Sequence, residues 1–476
     1  MDMTDASKVS SMIVAELKAS LGEAYVIDKP DEMAHYLTDW RKRFTGKAIC
    51  VVRPASTDEV ATVVRIAAQH GLNIVPQGGN TGLVGGSVPI GNGNEIVVSL
   101  GRLNKVRDID TVSDVMVVEA GVSLASAQEA ALNVGRLFPL SLASEGTATI
   151  GGAISTNAGG TAVLAYGTMR DLVVGLEVVL ADGRIWNGLG KLKKDNTGYD
   201  LKNLFVGSEG TLGIVTAAVV KLFPEPKSRA TAFCGLASTE DAMAFFKLAK
   251  AEAGPELTTF ELIPRLGIEL VLKHFPDTRD PLFFKHQWYV MVEFSSLTAD
   301  GADTLAQRIL FDSVEKAYLE DSVFAVTLAQ RDEFWRLREY MPEAQTREGA
   351  SIKHDISVSV DTIPSFIEMV VNDITALIPD IRPFVFGHMG DGNLHFNLQA
   401  PEGADGAEFL KRANEIHEIV YRHITAVQGS ISAEHGIGQV KRERLAHTKD
   451  PVALDLMRTL KRALDPDGRL NPGKVL

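Results

Sequence analysis

The amino-acid sequence predicts an α+β fold built from more than one domain, and three observations carry that expectation. Strand-like and helix-like periodicities follow one another in mixed order, with strands at residues 95–100 and 115–120 ahead of a helical run that ends at Gly135. Three glycine-rich tracts crowd the first half, and past Phe223-Pro224-Glu225-Pro226 glycines thin out and strands alternate with amphipathic helices. The length of 476 residues suggests about three structural units at roughly 150 residues each. They are placed at residues 1–225, 226–428 and 429–476.

Taken in order, Ser56-Thr57-Asp58-Glu59 reads as a capping box, in which Ser56 and Glu59 satisfy each other's free amide groups as a helix begins. Val60, Val63, Val64 and Ala67 share one face of that helix and Gly71 closes it. Residues 72–75 read as a short buried strand. Pro76-Gln77-Gly78-Gly79-Asn80-Thr81-Gly82-Leu83-Val84-Gly85-Gly86 follows, with five glycines in eleven residues, too many for the interior of an element. The second tract runs from Ala143-Ser144-Glu145-Gly146-Thr147 through Ile150-Gly151-Gly152 to Asn157-Ala158-Gly159-Gly160. Residues 171–180 and 184–186 flank Asp182-Gly183, a hairpin signal, and Phe205-Val206-Gly207-Ser208-Glu209-Gly210-Thr211-Leu212-Gly213-Ile214-Val215 is the third tract. In the second half, residues 240–251 and 363–377 read as helices and 288–294 and 351–360 as strands. The tail from Gly429 ends in a turn-rich stretch that cannot make a core alone, so it is expected to dock onto an earlier part.

A net charge of -13 argues against a nucleic-acid partner, because phosphate binding needs a positive field. No uncharged apolar stretch reaches the roughly 18 residues of a membrane span. Residues 1–11 carry neither the basic region nor the apolar core of a leader. Cys50 and Cys234 form no CxxC pair, so a reducing compartment and a cytoplasmic location without a cleaved signal are expected.

The first glycine loop follows a strand, so its backbone amides can cradle a pyrophosphate. It matches neither GxGxxG nor GxxxxGK[ST]. A single loop of this kind is more often a plain turn, but three tracts in one half favour a cofactor. Gly387-His388-Met389-Gly390-Asp391-Gly392-Asn393-Leu394-His395-Phe396-Asn397 sets two histidines seven apart around an Asp-Gly turn. Ser432-Ala433-Glu434-His435-Gly436-Ile437-Gly438 adds a carboxylate and a third imidazole. Two histidines and one glutamate form a ligand set for Zn²⁺ or a similar divalent ion, with positions left open for substrate. His354 sits in another strand-end segment, whereas His70 reads as a surface residue at the end of an amphipathic helix, and His417 and His423 as surface residues of a polar helix. Arg338 as a bidentate fork and Lys353 as a point charge suit a carboxylate, although taken alone each reads as a solvated charge.

Together these motifs resemble the flavin-dependent D-2-hydroxy acid dehydrogenases of the vanillyl-alcohol-oxidase superfamily, most closely the D-2-hydroxyglutarate and D-lactate dehydrogenase branch. The carriers are Pro76 to Gly82, Ile150 to Gly160, Gly207-Ser208-Glu209-Gly210-Thr211-Leu212-Gly213, Gly387 to His395, and Ser432 to Gly436, and the resemblance spans nearly the whole chain. It implies FAD in a PCMH-type FAD-binding domain made of the N-terminal half and a C-terminal helical tail, with a ferredoxin-like α+β cap between them. By position, the resemblance implies that Pro76, Gln77, Gly78, Gly79, Asn80, Thr81 and Gly82 hold the FAD pyrophosphate. Ser144, Gly146, Thr147, Gly151, Asn157 and Ile214 would line the rest of the cofactor, mostly through backbone. Some relatives attach flavin to a histidine in the first loop; Gly79-Asn80 here implies non-covalent FAD. His388, His395 and Glu434 match metal ligands, with zinc as the implied ion, His435 matches the base, and Arg338, Lys353 and Asn397 match substrate-binding positions. Where some hydroxyglutarate enzymes have a threonine after the arginine, this chain reads Met341-Pro342-Glu343-Ala344, and proline cannot donate that hydrogen bond. Substrate identity within the branch stays open for that reason.

The implied reaction turns a D-2-hydroxy acid into the 2-oxo acid, with the hydroxyl acidified by the metal, its proton taken by His435 and the C2 hydride passed to flavin N5. The implied partners are that small acid and an electron acceptor, either an electron-transfer flavoprotein, a cytochrome or a quinone; a homodimer stays open. Three alternatives remain at this point. A cytochrome- or quinone-linked D-lactate dehydrogenase is the nearest. A metal-dependent hydrolase would use His388, His395 and Glu434 with an activated water and would be colourless, and a non-catalytic flavin-binding module would have no use for the metal ligands.

Overall fold

The computed structural model describes residues 3–476, with side chains from Val9 onward. Residues 1 and 2, where the segment read for a leader begins, lie outside the described residues. The chain forms two compact units. One takes the residues up to Gly160 together with Gly167–Pro224 and Glu434–Leu476; the other takes Thr161–Tyr166 and Glu225–Ala433.

The first unit carries two sheets. In the four-stranded one, Val26–Ile27 and Glu95–Ser99 flank Cys50–Val52, and Asn73–Gln77 pairs in parallel with Glu95–Ser99 at the edge. Its residues alternate between two cores, Ile74, Ile96 and Val98 on one side and Val75 and Val97 on the other, so the strands read as continuous apolar runs. Helix Thr57–Gln69 buries Val60, Val63, Val64 and Ala67 on the first side. Its start is a displaced capping box: Ser56 accepts from the Glu59 N–H, but the Glu59 carboxylate reaches past Ser56 to the Ala55 N–H at 2.7 Å. The five-stranded antiparallel sheet runs Val106–Asp110, Val115–Glu119, Ile214–Lys221, Val173–Val179, Ile185–Gly188. The last two strands make the hairpin expected at Asp182-Gly183, with Gly183 at φ +79°. The first of them begins only at Val173, because Met169–Leu172 is a helical turn capped by Thr168 and Asp171. The tail supplies helix Pro451–Leu464, and beyond it the Asn471 N–H donates to the Ile74 carbonyl while Leu470 is fully buried.

In the second unit, strand Ser228–Leu236, helix Thr239–Ala253, strands Leu257–Pro264 and Trp288–Ser296, helix Gly301–Glu315 and strand Asp321–Phe324 form a ferredoxin-like plait. Numbered along the chain, its four strands lie in the order 4-1-3-2, all antiparallel. Arg382–His388 and Asn393–Gln399 extend the sheet beyond Leu257–Pro264. Cys234, Leu262, Val292, Val385 and Phe396 face one core, and Phe233, Ile263, Met291, Phe384 and Phe386 the other, under helices Arg265–His274 and Leu328–Glu348. Both free cysteines are buried. Among the described residues no helix is long and apolar enough to cross a membrane.

Candidate active site

The face of the second unit's sheet that lies under helix Leu328–Glu348 sets two buried carboxylates, Glu293 and Glu261, among its apolar residues, and turns more polar at its later strands. Strand Asn393–Gln399 sends Leu394, Phe396 and Leu398 into one core, which leaves Asn393, His395, Asn397 and Gln399 on the opposite side. The one-turn connection Met389–Asp391 and Gly392 at φ +89° close the hairpin that sets His388 and His395 on neighbouring strands, with ring centroids 5.8 Å apart. Across the sheet, Glu261 pairs in register with His388.

Glu261 is fully buried, and its carboxylate takes Nδ1 of His388 on one oxygen and Nε of Arg338 at 2.6 Å on the other. Burial pushes this carboxyl up, but the Arg338 guanidinium and His388 outweigh it and hold it at about 2. His388 thus has its Nδ1 fixed by a carboxylate, as metal-ligating histidines commonly do. Arg338 also lies 4.7 Å over the Phe386 ring. Asn397 is buried; its Oδ1 accepts from the His354 backbone N–H and its Nδ2 donates to Oε1 of Gln345. That backbone bond explains why residues 351–360 are not one strand: pairing with Asn393–Gln399 stops after Ser351–Ile352 and resumes at Asp355–Ser357. Lys353 sits in the gap, its ammonium 3.4 Å from the Pro342 carbonyl and from Thr346 Oγ1. His354 and His417 are not where they were expected. Their Nε2 and Nδ1 atoms lie 2.8 Å apart on the side of the Leu394 core, and His417 is half-buried, not solvated.

In the first unit, strand Asn73–Gln77 runs further than expected and takes in Pro76 and Gln77. The Gln77 side chain is buried and donates to the Tyr36 and Ser87 carbonyls, while Asn80, at φ +52°, donates to the His35 and Thr38 carbonyls. Both side chains shape the loop, which leaves its backbone for a ligand. Gly78 packs on Thr149, Gly79 on the Thr147 carbonyl and Gly151 on Ala120, so the protein's own packing requires glycine there. At Gly82 and Gly146 neither close packing nor positive φ requires it, since an added Cβ would meet nothing within 4 Å. Ser144 turns the second tract by accepting from Thr147 and Ala148, Asn157 at φ +50° ends helix Ile150–Thr156, and Ile214 is buried at the head of its strand.

Two acidic residues fix the segment that carries His435. Glu434 accepts from the Gly160 N–H at 2.7 Å. The buried Glu209 accepts from the N–H groups of Ile437 and Gly438, and burial raises its pKa against those two bonds. Thr81 and His435 are half-buried. Asn471 donates to the Gly86 and Glu209 carbonyls and so ties the tail to the first and third tracts. Next to it, Lys474 is 2% exposed and its ammonium has no hydrogen-bond partner among the described residues; burial pushes it down to about 8, opposed by Glu95. A buried ammonium without hydrogen bonds is costly, and Glu95 offsets only part of that cost. The open glycine positions, on a loop whose backbone is left for a ligand, fit an anionic dinucleotide such as FAD, and the Lys474 ammonium adds positive charge in the same unit.

Two family models cover most of the chain: the FAD binding domain matches residues 48–188 and the C-terminal domain of FAD-linked oxidases matches residues 225–475. The chain belongs to the FAD-linked oxidase family. It binds FAD and is an oxidoreductase of that family, which removes both the colourless hydrolase and the non-catalytic module. Among relatives of this FAD-linked oxidase, a mitochondrial D-2-hydroxyglutarate dehydrogenase of Arabidopsis thaliana is 38% identical over 99% of this chain and 82% of its own. A D-2-hydroxyglutarate dehydrogenase of Xanthomonas citri is 37% identical over 94% and 93%, and a putative mitochondrial D-lactate dehydrogenase of Schizosaccharomyces pombe 35% over 99% and 91%. A solved p-cresol methylhydroxylase, 18% identical, superposes with a TM-score of 0.76 over 98% of this chain and 97% of that one, which shows the PCMH-type fold.

The cytoplasmic expectation is corrected by the two relatives named as mitochondrial. Buried free cysteines do not separate one compartment from another. Glu261 and Lys474 escaped the sequence reading. Glu261 had a signal, a lone carboxylate in the apolar run Leu257–Pro264, where an acid stays buried only if paired. Lys474 had none of its own: the turn-rich tail was expected to dock onto an earlier part, but nothing in it marked which side chain docking would bury.

Proposed function

We propose that the protein oxidises a D-2-hydroxy acid, with D-2-hydroxyglutarate as the reference substrate, to the 2-oxo acid. The observation that carries this reading is the buried Glu261 joining Arg338 to His388, which couples a carboxylate-binding cation to a metal-type histidine on one sheet face. His388, His395 and Glu434 are the proposed ligands of a divalent ion, taken as zinc, which when bound supplies Lewis acidity at the acid's hydroxyl and carboxylate oxygens. Non-covalent FAD is assigned to Pro76 to Gly82 with Ser144, Gly146, Thr147, Gly151, Asn157, Ile214 and the Lys474 ammonium, and supplies the two-electron acceptor for the C2 hydride.

In this reading Arg338, through the fork nitrogens that do not bond Glu261, holds substrate oxygens together with Lys353 and Asn397. His435 takes the hydroxyl proton; the C2–H electron pair departs as hydride while the O–H pair closes the carbonyl. Support comes from the hydroxyglutarate dehydrogenases among the relatives. A preference for D-lactate is favoured by one observation, Pro342, which offers no donor inside helix Leu328–Glu348.

The test is anaerobic flavin reduction by D-2-hydroxyglutarate in wild type and His435→Ala at equal FAD content. Reduction should slow by about 100-fold or more in the variant. Dialysis against a chelator should abolish it in wild type, and added Zn²⁺ should restore it. Undiminished reduction by the variant would remove His435 from the reaction.

A further inference from the structure

We propose that Gln345 is a specificity-determining residue that donates a hydrogen bond to an oxygen at the end of the substrate remote from C2. This deepens the proposed function and rests on it. The argument is a chain of fixed amides. The His354 backbone N–H can only donate, so the atom of Asn397 that meets it is Oδ1, which commits Nδ2 of Asn397 to donate. The acceptor of that Nδ2 at 3.0 Å is Oε1 of Gln345, which in turn fixes the Gln345 NH₂ group on the other side. That NH₂ is buried, in a residue 0% exposed, and has no hydrogen-bond partner among the described residues. A buried amide donor without an acceptor costs about 1–3 kcal/mol, so one held in place by two successive bonds calls for an acceptor from outside.

The position identifies the acceptor. Asn397 stands two residues beyond His395 on the same strand face, about 7 Å along the strand. An acid whose C1 carboxylate and C2 hydroxyl are held beside His388 and His395 points its remaining carbons along that face. A three-carbon acid ends short of Gln345. A five-carbon acid with a terminal carboxylate or amide brings an oxygen to it. Gln399, two residues further on and also 0% exposed, has both side-chain amide atoms without a partner among the described residues, so the polar, buried character of the face continues past Asn397. Pro342, one turn before Gln345 on helix Leu328–Glu348, contributes no donor of its own. The ligand class is thus a D-2-hydroxy acid with an oxygen on C5.

The experiment compares wild type, Gln345→Leu and Gln345→Glu for kcat/KM with D-2-hydroxyglutarate and with D-lactate. It also follows the rise in Tm produced by glutarate, a dicarboxylate that lacks the hydroxyl to be oxidised. The expected result is that the ratio of kcat/KM for hydroxyglutarate over lactate falls about 10- to 100-fold in both variants, and that the glutarate-induced rise in Tm disappears. Should Gln345→Leu fail to fold, Gln345→Glu carries the same test, because its carboxylate still accepts from Asn397, while it lacks the donor and sets a negative charge against the terminal carboxylate of the ligand. A structural or purely water-filled role would leave the ratio and the glutarate effect as in wild type, and that result overturns the proposal. If wild type oxidises neither acid, the reaction reading has failed, and the glutarate effect alone then decides the role of Gln345.

Discussion

Glu261 concentrates the most consequence in a single side chain, since its carboxylate bonds both Arg338 and His388. Replacing it with Gln should destabilise the protein by about 3 kcal/mol in denaturant unfolding, because two basic groups lose a buried countercharge. The same change should weaken metal binding by about 10- to 100-fold in a competitive chelator titration, as His388 loses the group that orients it. Lys474 makes a different prediction. Its ammonium is held near 8 by burial, so it is charged below that pH and loses its proton as pH rises, and FAD, being anionic, favours the charged form. FAD affinity should decline as pH rises past about 8, and Lys474→Met should bind FAD more weakly with that decline removed. Flavin fluorescence titrations across the range check both. At this scale the sequence made the histidines visible by their glycine surroundings, but not Lys474, whose burial depends on a chain segment hundreds of residues away.

At the scale of elements, the glycine tracts were legible because five glycines in eleven residues exceed what any helix or strand tolerates. Which glycines serve packing and which serve a ligand was not legible, because that depends on what each Cβ would meet. Gly79→Ala should lower stability by about 1–3 kcal/mol whether or not FAD is present, since its Cβ would strike the Thr147 carbonyl. Gly82→Val should leave the Tm of the flavin-free protein within a degree or two and weaken FAD binding alone. The end of helix Leu328–Glu348 provides a pH test. Burial pushes the Glu348 carboxyl up, yet hydrogen bonds from Lys273, Arg382 and His274 outweigh it and hold it at about 2, below its ordinary 4.5. A depressed carboxylate stabilises above its unfolded pKa and loses that contribution as pH falls from about 4.5 toward 2. Unfolding free energies of Glu348→Gln should therefore show a shallower acid slope than wild type in that window. The alternation that separates His395 and Asn397 from Phe396 is a period-two pattern the sequence displays openly; the break at Lys353-His354 is not, because it is made by a side chain from another strand.

For the whole molecule, α+β architecture followed from the mixed order of strands and helices, and the ferredoxin-like plait from the family resemblance, and both are present. What composition could not convey is how discontinuous stretches join: Thr161–Tyr166 belongs to the second unit although the residues on both sides of it belong to the first. Nor did composition locate the protein, as the mitochondrial relatives show. The central claim, that this FAD-linked oxidase draws hydride from a D-2-hydroxy acid, is tested most directly by the anaerobic visible spectrum before and after D-2-hydroxyglutarate, D-lactate and their L-enantiomers, each added separately. Yellow protein that bleaches with a D-acid and not with its L-enantiomer is the predicted result. A flavin that keeps its colour with every one of these acids would contradict the account.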